Sequence, residues 1–586
     1  MILQALVDYY EEMASQGRIP RPGWSKVKVS WALEIGDNGE LLDVLPWRHL
    51  SENGKKMIPR EMELPAPVKR TVGVQPNFLW DNSSYILGVD NKGNEKRTQE
   101  CFEAAKGLHI KLLTDATGSA AKAICAFFEQ WNPQSADTVS AFASHKDDLL
   151  SGDNLCFLYH GAFAEEDPEI RAIWENAYNR DSEEETEYCL VTGRKTCPEP
   201  VHPAIKNVRD AQSSGAALVS FNAPAFCSFG KEQNANAPVS KYAAFAYTTA
   251  LNQLLADRKH VKVIGNTTVV YWAKDAEPQY QDVFAALFDG EDDTVSSEEL
   301  NALMESVAAG KPYKFDGLPV SPENDFFILG ISPNAARLSV RFFYRRSFGE
   351  IVQNLKRHYD NVRIVSDGRN KWEDIPLWAL LRETVNQKSS DKSPLPQLAG
   401  DVTKSMLAGG RYPETLMNQV MLRIRAEHEI TRGKAGIIKA YLIRNTENLP
   451  NRESIMEVAN VSLNEESAYT PYVLGRLFAI LEGAQRAAAK TEINSTIKDR
   501  FFNSACATPA SVFPILLKLS NSHLRKMDAG KSIYWSKQIG TLIEKLGMDF
   551  PAHQTLQEQG AFILGYYHQT QKRFEKKNNT DNREEN

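Results

Sequence analysis

Apolar residues recur at helical spacing from the start of the chain. Ile2, Leu3, Leu6, Val7, Tyr10 and Met13 share one face of a short amphipathic helix, which Gly17, Pro20, Pro22 and Gly23 end. Val27, Val29, Trp31, Leu33 and Ile35 then alternate with Lys26, Lys28, Ser30 and Glu34, a period of two that predicts a strand with one buried face. Gly36-Asp37-Asn38-Gly39 is a turn, and 41–45 returns as the hairpin partner. A loop is expected over 51–67, with Lys55, Lys56 and Arg60, followed by Lys69 and Arg70. Helices are expected over 96–113, 119–130 and 137–150, and strands over 154–159 and 188–191. The stretch 202–240 is rich in Gly, Ser, Asn, Ala and Pro. An apolar helix follows over 241–255, then strands over 261–264 and 267–272 around Gly265-Asn266, an acidic loop over 289–294, strands over 326–331 and 338–344, and a helix over 347–358.

The texture changes near residue 372. Strand signals vanish, and 376–386, 399–407, 413–431, 434–443 and 472–491 all read as helices, as do later segments to about 571. The expected fold is α+β: an N-terminal mixed α/β region with antiparallel strands over 1–375, then a C-terminal all-α helical bundle over 376–572. A loop at 389–396 lies near the junction, and the polar stretch 573–586 is expected to be a disordered tail. In the 472–491 helix, Gly475, Ala479, Gly483 and Ala487 recur every four residues, a small-residue stripe that permits close helix packing.

Composition narrows the class. The 586 residues are 42% hydrophobic and 24% charged, and 68 Lys+Arg against 75 Asp+Glu give a net charge of −7. This excludes a wholly disordered chain, a small disulfide scaffold and a uniformly basic nucleic-acid binder. Any nucleic-acid contact must come from local basic patches on an acidic background. The N-terminus lacks the features of a secretory signal, and no run of about 18 apolar residues predicts a membrane span. Seven cysteines at irregular spacing point to a reducing, cytoplasmic setting without a disulfide framework.

Several chemistries lack their motifs. The chain has no GxxxxGK[ST], no HExxH and no CxxC pair. Cys189, Cys197 and His202 suggest a zinc knuckle, but without the tight pair that grips zinc, so a hairpin with two reduced thiols is favoured. The remaining histidines are scattered, and none is selected as a base or ligand. No catalytic residue, metal site or cofactor is assigned.

Four constellations suit nucleic acid. Asn77 to Gly88 sets Asn77, Asn82, Ser83 and Ser84 among apolar anchors; it is either a ligand-facing loop or a turn capped by its own side chains. The segment 228–240, with 212–222 before it, offers Ser228, Lys231, Gln233, Asn234 and Asn236, with Phe221, Phe226 and Phe229 expected as its anchors. Arg337, Arg341 and Arg345 would share one face of a strand, a repulsion that a phosphate backbone or acidic side chains across the sheet would relieve. Arg423, Arg425, Arg432, Lys434, Lys439 and Arg444 make a basic helix pair suited to a displaced single strand or simply to solvent.

At these segments the chain resembles one family, the large subunit of the type I-C CRISPR surveillance complex, Cascade. The resemblance rests on MILQALVDYYE, FLWDNSSYILG, CLVTG, HPAIKNV with SSGAALVSFNAPAF, SFGKEQNANAPVS with AAFAYTTALNQLL, ISPNAARLSVRFF, YPETLM with RIRAEHEITRGKAGIIKAYL, YVLGRLFAILEGAQRAA and EQGAFILGYYHQ, in collinear order. It implies a non-catalytic subunit that recognises the protospacer-adjacent motif in duplex DNA, helps open it, and supports the R-loop with its displaced strand, while CRISPR RNA pairing reads the target. Implied partners are the Cascade backbone and guide-end-binding subunits, a helicase-nuclease recruited after target binding, and a small subunit made from the chain's own C-terminal region. For that product Met456 is the expected start, with Met417 and Met421 as competitors.

Within the matched segments, chemistry selects Asn77, Asn82, Ser228, Lys231, Gln233, Asn234 and Asn236 for the duplex motif. Arg337, Arg341 and Arg345 are selected for the phosphate backbone, and Arg423, Arg425, Arg432 and Lys434 for the displaced strand. The rival readings are a nuclease or hydrolase with an unrecognised site and a scaffold that never touches bases.

Overall fold

The computed structural model describes residues 1–51, 56–68, 70, 73–91, 93–179, 187–221, 223–289, 297–366, 374–390, 392–489, 494–547 and 550–572. Lys55, Lys69, Asn222, most of the expected acidic loop and the expected 573–586 tail lie outside them. The chain divides into two compact units, one of Met1–Asn207, Ala211–Ala256 and Asn334–Leu338, the other of Val208–Asp210, Asp257–Pro333 and Ser339–Asn586.

In the first unit, the Ile2–Ser15 helix buries Leu6, Val7, Tyr10 and Met13, as its period demands. The Tyr10 hydroxyl donates to the Pro20 carbonyl at 2.8 Å, fixing the exit turn. The alternating stretch after it is not one strand but two. Trp24–Val29 pairs antiparallel with Met57–Pro65. Trp31–Ile35 pairs antiparallel with Leu41–Pro46 and parallel with Leu155–Tyr159. The break is Ser30, whose N–H leaves the ladder for the Asn154 carbonyl at 3.0 Å. One alternation therefore serves two sheets.

The loop expected over 51–67 contains the Met57–Pro65 strand. Seven of its nine side chains are not buried, so its apolar residues show no period; Leu64 reaches the core, and ladder partners hold the rest. The helix expected over 137–150 is three short turns instead, Pro133–Thr138, Ser140–Ala143 and Lys146–Leu149. Of the strand expected over 188–191 only Tyr188 is in a strand, the short Glu187–Tyr188. Helices Glu95–Leu113 and Ser119–Gln130 form as predicted. Their Phe102, Phe127 and Phe128 join Phe157 of the central strand in one buried core.

In the second unit, strands Lys262–Ile264, Thr267–Ala273, Asp325–Asn334 and Arg337–Ser347 stand in that order in one sheet; the first two residues of the last strand count with the first unit. Gly265 supplies the positive φ (60°) that the first hairpin needs. The fold is thus α+β, with helices dominating the C-terminal region. One continuous core runs from Ile264 of the sheet to Tyr567 of the last helix. Helix Thr470–Ala488 packs on helix Leu556–Gln571 with backbones nearly touching. A Cβ on Gly475 would lie 1.9 Å from the Phe562 carbonyl oxygen, and one on Gly565 2.1 Å from that of Tyr472. This is the close approach the small-residue stripe predicts. Among the described residues no helix is long and apolar enough to cross a membrane.

Candidate nucleic-acid interface

The Asn77–Gly88 segment is built around a left-handed residue. Leu79 sits at φ 66°, and its N–H donates to His109 Nε2 at 2.8 Å. The other ring nitrogen, Nδ1, lies 2.7 Å from the Ala105 carbonyl, so it carries the proton. Burial pushes this histidine down to about 4, and neutrality is what lets Nε2 accept. The ring stacks between Phe78 and Phe128, with centroids at 5.1 and 4.5 Å.

Asn77 is 4% exposed, and its Oδ1 accepts the Val68 N–H at 2.9 Å. Asn82 caps the Ser83–Ile86 turn, accepting the Ser84 N–H. Asp81 accepts the Asn77 N–H and pairs with Arg70, whose guanidinium lies 4.1 Å from the centre of the Tyr85 ring. The amides here hold backbone, Asn82 that of the segment itself and Asn77 that of Val68, and the cation among them, Arg70, was not singled out by sequence.

The segment Ser228–Asn236 is rigid for a different reason. Asn236 Oδ1 accepts the Ser228 N–H at 2.9 Å, while its Nδ2 donates to the carbonyls of Lys231 and Gln233. Asn234, 3% exposed, donates from Nδ2 to the Glu199 carbonyl at 2.8 Å and to His202 Nε2 at 2.6 Å. That bond leaves the His202 proton on Nδ1, facing the Tyr247 hydroxyl at 2.7 Å. Two of the amides selected for base contact are therefore the clamps of the loop.

Phe229 is not an anchor. It is 99% exposed, at φ 53°, between Ser228 and a left-handed Gly230. Lys231 is held by Glu187 at 3.1 Å, with both side chains 42% exposed. An exposed pair of this kind is worth about 0–1 kcal/mol and exchanges readily for another anion. Gln233 is exposed, also at positive φ (44°). The apex thus presents an aromatic ring, a hydroxyl and a cation on a braced loop. Phe–Gly after a serine is the one sequence sign of it, and the expectation of a buried ring hid it.

The three strand arginines have different partners. Ala217 bridges Arg337 within the first unit, and the Arg337 guanidinium lies 4.3 Å from the centre of the Phe226 ring. That brings one selected cation to the 224–236 region. Arg341 donates to Ser332 Oγ at 2.6 Å, and Arg345 pairs with Asp325 across the sheet at 2.8 Å, both within the second unit. The acidic-partner alternative therefore holds for Arg345.

The basic helix pair of the second unit turns partly inward. Lys434, Lys439 and Arg444 are 2%, 3% and 2% exposed. Lys434 pairs with Glu427 at 2.6 Å, Lys439 donates to the Asp360 and Asn361 carbonyls, and Arg444 to those of Ser405 and Gly410. The basic face expected there is not met at these three positions. Arg432 donates to the Ile364 carbonyl, Arg423 lies 3.7 Å from Glu427, and Arg425 donates to Gln559 on the surface.

At the possible zinc knuckle, Cys189 Sγ accepts N–H groups from Ser240 and Thr192 at 3.2 and 3.4 Å. Burial raises this thiol, but those donors outweigh it and bring it down to about 7. With His202 bonded to Asn234 and Tyr247, the hairpin reading accounts for both groups. Among the described residues no three His, Cys, Asp or Glu side chains are grouped to hold a metal.

No curated protein matches the chain. A family model described as "CRISPR-associated protein (Cas_Csd1)" matches residues 6–574, which include both amide-rich segments, the arginine strand and the helical bundle. The chain therefore belongs to the Cas_Csd1 family of CRISPR-associated proteins.

Proposed function

We propose that this chain is the large, non-catalytic subunit of a type I-C Cascade in the cytoplasm, and that it recognises the protospacer-adjacent motif in duplex DNA and begins its opening. The observation that carries this reading is the 228–231 apex: a fully exposed Phe229 on a left-handed backbone, braced by Asn234 and Asn236 and flanked by Ser228 and Lys231. Apolar side chains inserted between base steps kink and unstack a duplex, and flanking hydroxyl and cationic groups hold the phosphates. Arg337 extends the cationic rim, the exposed Arg425 offers surface charge to the displaced strand, and Arg423, its side chain 17% exposed beside Glu427, offers less. The helical region from Met456 would also serve as the separate small subunit, and the assembled complex would then dock the helicase-nuclease.

The test compares binding of the assembled, guide-loaded complex to motif-bearing duplex and to a target already opened. Phe229→Ala with Lys231→Ala should weaken duplex binding at least tenfold and spare the opened target. Equal loss on both refutes a role in recognition and opening. Arg423→Ala should lower affinity without changing motif preference, reducing the slope of log affinity against log salt by about one.

A further inference from the structure

Beside the apex, in the same unit, stands a short hairpin to which nothing above gives a role. Its Lys195 and Thr196 pair antiparallel with Tyr188 and Glu187. The CLVTG turn closes it. The Cys189 N–H donates to the Arg194 carbonyl at 2.9 Å and the Gly193 N–H to the Cys189 carbonyl at 2.8 Å, with Gly193 at a positive φ (70°) that glycine adopts freely. Both arms are tied to the end of the apex loop. The Leu190 N–H donates to the Pro238 carbonyl, the Glu199 N–H to that of Val239, and the Ser240 N–H to Cys189 Sγ. Hairpin and apex loop therefore form one braced piece.

The two faces of this ribbon differ. Residues directly opposite in an antiparallel pair share a face, and neighbours along a strand alternate. Glu187 and Thr196 thus lie on one face, and Glu187 reaches Lys231 of the apex loop at 3.1 Å. Tyr188 and Lys195 lie on the other, the tyrosine 68% exposed with the exposed lysine opposite it. Arg194, at the turn, is exposed too, and among the described residues neither cation is in an ion pair. An open aromatic ring flanked by cations suits single-stranded nucleic acid, a base on the ring and phosphates on the charges.

We propose that this hairpin parts the two strands of DNA opened at the apex: Lys231 holds one strand on the near side, and Tyr188, with Lys195 and Arg194, leads the other over the far face. This rests on the reading that the 228–231 apex engages duplex DNA. Contacts set back to back suit two strands, because a single strand would have to double back around the ribbon to meet both. Phe229 unstacks the duplex, the braced ribbon keeps the freed bases from re-pairing, and stacking on Tyr188 offsets part of the stacking lost.

The test uses the assembled, guide-loaded complex and motif-bearing duplex with each strand labelled separately. A photo-crosslinking phenylalanine analogue at position 188 should react with one strand only, next to the motif. Tyr188→Ala should lower affinity for the duplex about tenfold, the size expected for one stacked base, and Tyr188→Phe, which keeps the ring, should not. Lys195→Gln should reduce the slope of log affinity against log salt by about one. Two further substrates, in which one strand or the other ends at the edge of the motif, assign the contacts. The Tyr188→Ala loss should vanish when the strand crosslinked from position 188 is the one cut short, and the loss from Lys231→Gln should vanish only when the opposite strand is. If both losses follow the same strand, or position 188 crosslinks to both strands or to no DNA, the strand-parting hairpin is refuted even where motif recognition persists. If Lys231→Gln changes binding to none of these substrates, the reading of the apex itself fails.

Discussion

The substitution His109→Gln should uncouple the Asn77–Gly88 segment from pH. In the folded chain His109 is held neutral, with its affinity for a proton lowered to about 4 by burial, against 6.5 in the unfolded chain. Between these values the unfolded chain binds more protons, so folding stability falls as pH drops from 6.5 toward 4. At about 1.4 kcal/mol per pH unit, the loss is about 2.5 kcal/mol by about pH 4.5. Protonation at Nε2 also removes the acceptor of the Leu79 N–H, so opening should be local to the segment. The glutamine side chain does not titrate, and it loses the stacking of the ring between Phe78 and Phe128. Hydrogen exchange of peptides covering 74–90, corrected for intrinsic rates, reads the opening free energy. The variant should start lower at about pH 7.5, yet the unaltered protein should lose about 2.5 kcal/mol more than the variant on going to about pH 4.5. Parallel pH profiles in the two proteins would refute the neutral-histidine account.

Gly475→Ala should force helices Thr470–Ala488 and Leu556–Gln571 apart, because its methyl group would meet the Phe562 carbonyl; a destabilisation of about 1–3 kcal/mol or more is expected, measured as a lower Tm by circular dichroism. Lys434→Met should cost about 3–5 kcal/mol by leaving Glu427 partly buried without its main partner, and adding Glu427→Leu should recover most of that in denaturant titrations. Phe229→Ala should leave folding stability unchanged within about 0.5 kcal/mol in the same titrations, since a ring 99% exposed contributes no core, whatever it does to DNA binding.

The parts of the fold that were legible in sequence are those where burial imposes a period. The Ile2–Ser15 helix, the 119–130 helix, the Gly265 hairpin and the small-residue stripe all follow from side chains facing one core. The Met57–Pro65 strand was not legible because only its last residues reach a core, and ladder partners hold the rest. The split at Ser30 was hidden because both strands keep the same alternation across it. At the candidate interface the two amide-rich segments were visible from composition, but not which members face out. Asn234 and Asn236 look like base readers and serve as clamps, while Phe229 looks like an anchor and stands in solvent. Lys434, Lys439 and Arg444 read as surface charge because partners distant in sequence, such as the carbonyls of Asp360 and Ser405, receive them inside.

The most direct measurement installs a photo-crosslinking phenylalanine analogue at position 229 in the guide-loaded complex and maps its products on target duplex. Crosslinks should fall on nucleotides at the edge of the flanking motif and vanish when that motif is scrambled. Crosslinks confined to protein, or spread evenly along the duplex regardless of motif, would contradict the central claim.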